Sequence, residues 1–244
     1  MITYAQLSQT GGRALNEDSI DVWYADNSIF CVLADGLGGH NAGEVASALA
    51  VNNAKALYAN SHDLPFDEVL AACMLAGQAA IEAEQQKRGR VNELKTTAVM
   101  LLIEQTLMQW AYVGDSRIYR FDQAGNVAER SLDHSVPQML ALQGEIDEAD
   151  IRGHEDRNRL TRVMGAEWDT PKFTLSAQME LTEPATFLLC SDGFWELIDE
   201  ERMSKLLARC KQPQTWLNEM ENIVLQNGKH TKMDNYSAIA VYVR

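Results

Sequence analysis

Cysteine is scarce in this sequence. There are four in 244 residues, and Cys31, Cys73, Cys190 and Cys210 form no C-x-x-C pair. A structural zinc site therefore lacks its ligand spacing, and Cys31 and Cys190 fall in apolar runs where a thiol behaves as a small hydrophobe. Positive charge is also short, since 21 Lys and Arg against 35 Asp and Glu leave a formal net charge of −14. A nucleic-acid surface needs clustered cations to displace condensed counterions, and beyond Lys87, Arg88 and Arg90 no run supplies them, so no nucleic acid is expected as a partner. No apolar stretch approaches the roughly 20 residues of a membrane span, Ala98 to Ile103 being typical, and no membrane partner is expected. The N-terminal MITYAQLSQT lacks the basic start and apolar stretch of a signal peptide, so a cytoplasmic location with reduced thiols is expected. With no repeat, linker or low-complexity stretch, residues 1–244 are expected to form one large domain.

What is present is an alternation of helical and strand patterns. Apolar spacing predicts a helix from about Glu44 to Asn60 and another after Pro65, where Phe66, Val69, Leu70, Cys73 and Met74 recur at helical intervals. Pro65, Asp67 and Glu68 suit the start of that second helix, and Lys87 and Arg88 suit its end. β-type runs follow at Thr96–Ile103, Leu107–Val113, Ser116–Phe121 and Val127–Arg130, with Ala124-Gly125-Asn126 as the clearest turn, and they read as an antiparallel meander. From Val136 to Arg159 the chain is polar and mixed, and it reads as a mobile flap. A strand at Thr186–Cys190, helices at Glu200–Cys210 and Gln214–Gln226, and a final strand at Ala238–Val243 complete an α+β chain.

The carboxylates are the informative residues. FCVLADG, WAYVGDS and FLLCSDG each run an apolar strand into an aspartate at a small-residue turn, at Asp35, Asp115 and Asp192. Glu17 and Asp18 precede the strand-like Ile20–Trp23, and Asp234 precedes the last strand. Asp-Gly after a strand is also an ordinary turn signal. In an antiparallel sheet, however, the end of one strand and the start of its neighbour share an edge, so these acids can gather there. Gathered carboxylates repel one another unless a hard divalent cation such as Mg²⁺ or Mn²⁺ takes their oxygens as ligands. Arg13, on the Gly-rich segment before Glu17, carries a planar fork suited to two oxygens of a phosphate.

In order along the chain stand RALNED, LADGLGGHNAGEVAS, KTTAVMLLI, YVGDSRIYR, LDHS, NRLTRVMG, LLCSDGFWELI and DNYSAIAVYV. This set resembles the metal-dependent serine/threonine protein phosphatases of the PP2C (PPM) family in their compact bacterial form, from about Arg13 to Val243. The resemblance implies a four-layer α-β-β-α sandwich, two antiparallel sheets flanked by helices, with two Mn²⁺ or Mg²⁺ ions at one edge. By position, it implies that Asp35 bridges the two ions, with the Gly36 carbonyl, Asp192 and Asp234 completing one shell and Glu17 and Asp18 acting around the other. It also implies that Asp115, with Asp35, binds a weaker third ion and that Arg13 holds the substrate phosphate. Arg13, Asp35 and Asp192 are thus the catalytic set. The implied reaction is direct hydrolysis of phosphoserine and phosphothreonine on proteins by a metal-bridging hydroxide, without a phosphoenzyme, reversing a partner Ser/Thr kinase.

Two positions depart from the family pattern. Leu37 replaces a histidine that many eukaryotic members carry as proton donor, so water is expected to protonate the leaving group. His40 is the nearest substitute and is expected to be structural. Lys95 stands where Gly usually precedes Thr-Thr, which touches only local loop shape. His62, His134, His154 and His230 share no metal spacing, although His134 in the DHS motif is expected to support the site from behind. The family's flap corresponds to about residues 136–158, whose acidity suits either basic phosphopeptides or a solvated face. Trp195, Trp216 and Met220 read as core. A scaffold that lost turnover and a hydrolase of small phosphate esters are the competing readings, both disfavoured by the intact acid set. A monomer is expected.

Overall fold

The computed structural model describes residues 1–38 and 42–244, so His40 lies outside the described residues. Seven strands form one antiparallel sheet. Its main path is β10 (Met179–Glu180), β6 (Leu107–Val113), β5 (Ala98–Glu104), β3 (Ser28–Leu37) and β2 (Asp18–Ala25), with β4 (Lys95–Thr96) added to β3 and β9 (Thr174–Leu175) to β6. The other sheet runs β1 (Ile2–Gln9), β12 (Tyr236–Val243), β11 (Ala185–Cys190), β7 (Arg117–Phe121) and β8 (Val127–Arg130). Helices α1 (Ala42–Tyr58) and α2 (Phe66–Arg88) cover the first sheet. The short α4 (Asp192–Trp195), α5 (Glu200–Leu207) and α6 (Pro213–Gly228) cover the second.

Strand periodicity builds these layers. Ile29, Cys31 and Leu33 of β3 face the second sheet, where Phe187, Leu189, Ile239 and Val241 meet them. Phe30, Val32 and Ala34 point the other way, against α1 and α2. Strands buried on both faces read as continuous apolar runs, which is how β3, β5 and β12 appear in the sequence. On the far side Trp216 is fully buried, with its indole N–H donating to the Met203 carbonyl at 3.0 Å and its ring edge-on to Phe121 at 5.2 Å. Trp216→Ala is expected to cost about 3–5 kcal/mol in denaturant unfolding. A loss below 1 kcal/mol would show that this layer does not depend on it.

Four sequence readings change. The strands read as one meander divide between the sheets, because β5 pairs β6 and β7 pairs β8, while the chain crosses from one sheet to the other at Gly114-Asp115-Ser116. Gly114 has φ +100°, and a Cβ there would lie 2.6 Å from Thr97, so only glycine makes this crossing without strain. The segment at 136–158 carries local structure that its polar composition did not predict: α3 (Val136–Gln143) and a 3₁₀ turn over Glu148–Gly153 pack on the second sheet's side, with Ile151 buried and Arg152 paired to Glu200 at 2.9 Å. Strand β1 was not anticipated, since its Thr, Gln and Ser dilute the apolar signal, yet it pairs with β12 along all eight residues. Lys95 opens a strand pairing with Leu37 rather than shaping a loop.

Candidate active site

The site lies where the two sheets meet at one end. Asp18 and Asp35 are directly opposed partners in the β2–β3 ladder. Asp35 therefore lies within β3, which continues to Leu37, rather than in a turn beyond it. Its backbone is fixed by three bonds: its N–H donates to Thr97 Oγ1 at 3.0 Å, and its carbonyl accepts from Thr97 N at 2.8 Å and Thr96 Oγ1 at 2.7 Å. Gly36 N–H donates to the Glu17 carbonyl at 3.1 Å, and a Cβ on Gly36 would come within 2.2 Å of the Gly43 carbonyl. The two strands and the start of α1 approach each other there because the residue is glycine.

Asp192 and Asp234 come from the second sheet. Asp192 opens α4 directly after β11, and Asp234 precedes β12. One hydroxyl joins the sheets: Ser191 Oγ donates to Asp18 Oδ2 at 2.9 Å and accepts from Ser237 N at 2.9 Å. Asn235 ties in the N-terminal segment. It accepts from Glu17 N at 2.9 Å and donates to the carbonyls of Thr10 and Leu15. Ser191 and Asn235 were not singled out from the sequence, although each stands beside an aspartate in a quoted motif, SDG and DNYS. Arg13, exposed, donates to Asp234 Oδ2 at 2.7 Å. Asp115 lies in the crossing between sheets, its carbonyl accepting from Trp195 Nε1 at 3.0 Å. His134 supports that crossing from behind, with Nδ1 accepting from Gly114 N at 3.2 Å. Burial keeps its imidazole neutral, pushing it down to about 4.

The electrostatics are those of buried carboxyls crowded together. Burial raises Asp18 to about 7, with Asp192 and Asp234 adding to it. Burial and the charges of Asp192, Asp18 and Asp115 raise Asp35, and burial together with Asp192 and Asp133 raises Asp115. Asp192 is raised by burial and by Asp234. Glu17 is raised by burial against the opposing pull of Arg13. Asp18 Oδ1 and Asp192 Oδ1 are buried and accept no hydrogen bond among the described residues. Buried carboxylate oxygens without donors are costly unless a cation serves them. An all-oxygen donor set of this kind suits Mg²⁺ or Mn²⁺. Among the described residues no three Asp, Glu, His or Cys side chains close around a single point. Backbone carbonyls and water would therefore have to fill part of each shell.

A four-layer sandwich with carboxylates where its sheets meet defines a class, that of one kind of protein phosphatase. A profile of that class, described as protein phosphatase 2C, matches residues 8–224, and the chain belongs to this family. The serine/threonine phosphatase stp of Listeria welshimeri serovar 6b is 31% identical over 202 residues, covering 80% of this chain and 78% of that one. The crystal structure of serine/threonine phosphatase Stp1 from Staphylococcus aureus matches with a TM-score of 0.88 at 27% identity, over 100% of this chain and 96% of that one. The catalytic domain of the serine/threonine protein phosphatase PstP, in complex with two manganese ions, matches at a TM-score of 0.79 and 27% identity, over 100% and 99%. The two-sheet, helix-flanked architecture read from the motifs is thus the observed one, and the chain is a protein phosphatase.

Proposed function

We propose that the chain removes phosphate from phosphoserine and phosphothreonine on proteins, opposing a Ser/Thr kinase, with two divalent cations at the Asp18/Asp35 and Asp192/Asp234 junction. The observation that carries this reading is the pairing of Asp18 with Asp35 in one sheet and its bond to Ser191, next to Asp192, in the other. Four acids from two sheets are thereby held together at a cost in burial and repulsion that bound cations would offset at neutral pH. Manganese is the metal we favour, because the PstP relative is described with two manganese ions. Asp35 would be shared between the ions. Asp192, Asp234 and the Gly36 carbonyl would serve one, Glu17 and Asp18 the other, and Asp115 with Asp35 a weaker third.

When bound, such cations activate water for in-line attack on phosphorus and offset the charge of the phosphoryl oxygens. The chain's own contribution is orientation. Arg13 is held by one nitrogen to Asp234, which leaves the rest of its fork for phosphate oxygens. Leu37 offers no proton, so water protonates the departing seryl or threonyl oxygen. The four free thiols are buried, which suits a reducing compartment such as the cytoplasm.

The test is phosphate release from a phosphothreonine peptide with Mn²⁺ and with EDTA. Release that needs the metal supports the reading, and silence with both Mn²⁺ and Mg²⁺ on several phosphopeptides overturns it. Arg13→Ala is expected to lower kcat/KM about 10- to 100-fold, the worth of a charge-assisted contact of roughly 1.5–3 kcal/mol. An unchanged kcat/KM would remove Arg13 from the phosphate site.

A further inference from the structure

We propose that Trp195 is a positioning residue that holds the backbone of Asp115 and makes that hold depend on how the 148–153 turn is seated. The proposal rests on the reading of Asp115 as ligand to the weaker third cation. Three side-chain contacts pin the crossing that carries Asp115. Gly114 N–H donates to His134, Ser116 Oγ and Thr97 Oγ1 lie 2.7 Å apart, and Trp195 Nε1 donates to the Asp115 carbonyl at 3.0 Å. Only the third comes from α4, the helix that begins with Asp192. One turn of helix therefore carries both Asp192 and the donor that anchors Asp115, so this bond fixes where the Asp115 backbone sits relative to Asp192.

The indole is itself held from two directions. The Arg117 guanidinium lies 3.4 Å from the ring centroid and is locked by a two-pronged pair with Asp133, at 2.9 and 2.7 Å. Arg152 lies 5.3 Å from the same ring, and it belongs to the 148–153 turn. It donates to the Ile198 carbonyl at 3.1 Å and to both oxygens of Glu200 at 3.1 and 2.9 Å. One cation on the ring is thus part of the buried core, while the other arrives with a surface segment. A guanidinium over an indole is attractive, so seating the turn favours the ring orientation that aims its N–H at Asp115. Phenylalanine would fill most of the same space without the donor.

The experiment measures Mn²⁺ binding to the full chain by calorimetry and by the electron paramagnetic resonance of free Mn²⁺. It compares the wild type with Trp195→Phe, Arg152→Gln, their double variant and Asp115→Asn. Trp195→Phe is expected to weaken the third site about fivefold, the worth of one neutral hydrogen bond, while the two tighter sites stay within about twofold of the wild type. Arg152→Gln should weaken the third site about twofold alone and add nothing to Trp195→Phe, because its effect passes through the ring. The coupling is overturned by an unchanged third site in Trp195→Phe, by equal weakening of all three sites, or by additive effects in the double variant. Retention of the third site by Asp115→Asn overturns the assignment of Asp115, and the coupling with it, a failure distinct from the others. Should Trp195→Phe not fold, an unchanged third site in Arg152→Gln is decisive against the coupling.

Discussion

Asp192→Asn is expected to abolish phosphate release, by on the order of a thousandfold in kcat, and at the same time to raise the thermal midpoint of the metal-free protein. The two effects have one cause. Asp192 is raised above the usual carboxylate range by burial and by Asp234, its Oδ1 has no donor, and its charge in turn raises Asp18, Asp35 and Asp115. Removing that charge relieves these three acids at once, while the isosteric amide keeps the start of α4 in place. It also removes an anionic oxygen on which the proposed cations would depend. Thermal melts in EDTA alongside phosphate-release assays read both. A variant that loses activity and stability together would mean that Asp192 serves chiefly to hold α4 in place, and a variant that keeps full activity would remove Asp192 from the metal set.

Metal-free protein is expected to melt at a higher temperature at pH 5.5 than at pH 8, and Mn²⁺ to raise the midpoint far more at pH 8. A carboxyl whose folded value exceeds its unfolded one contributes stability that is complete below the unfolded value and is lost as pH rises through the folded value. For Asp18 that window runs from its ordinary value near 4 to about 7, and Asp35, Asp115 and Asp192 shift in the same direction. His134 opposes them, since a neutral imidazole that titrates at about 4 loses stability as pH falls below its ordinary value near 6.5. It is one group against six, because burial also raises Glu196 to about 7 and raises Glu17. Glu200 is held below its ordinary range, against the pull of burial, by Arg152 and Arg117, and so stays ionised at pH 5.5. At a thousandfold excess over Kd, a cation that binds only the folded state adds about 4 kcal/mol, or about 10 °C for a chain of this size. Protons compete for the same oxygens at pH 5.5 and shrink the gain. Equal gains at both pH values would show that the raised carboxyls are not where the metal binds.

How much of this was legible beforehand differs from element to element. The predicted strands at 107–113 and 127–130 coincide with β6 and β8, because apolar runs bounded by turn residues name a strand without reference to anything distant. Helix α2 ends where Lys87 and Arg88 suggested, with Gly89 at φ +65° closing it, because caps are local. Strand β1 escaped because its identity depends on β12, over two hundred residues away, rather than on its own pattern. The helix and turn within 136–158 escaped because polar composition reports solvent contact and says nothing of the ion pairs that dock the segment, Arg130 to Glu148 and Arg152 to Glu200.

The sequence by itself determined which strand ends carry carboxylates, which runs are buried on both faces, and which ordered motifs mark the protein phosphatase 2C family. These are properties of composition and short spacing, written within a few residues of each other. Only the tertiary structure decided that Asp18 opposes Asp35 in one sheet while Asp192 and Asp234 come from the other, with Ser191 bridging them. Sheet partition was invisible locally, because a single glycine crossing at Gly114 sends the chain from one sheet to the next, and an apolar run reads the same in either sheet. The raised carboxyls follow from burial and from that convergence, since both desolvation and repulsion between acids depend on position in space and not on separation along the chain.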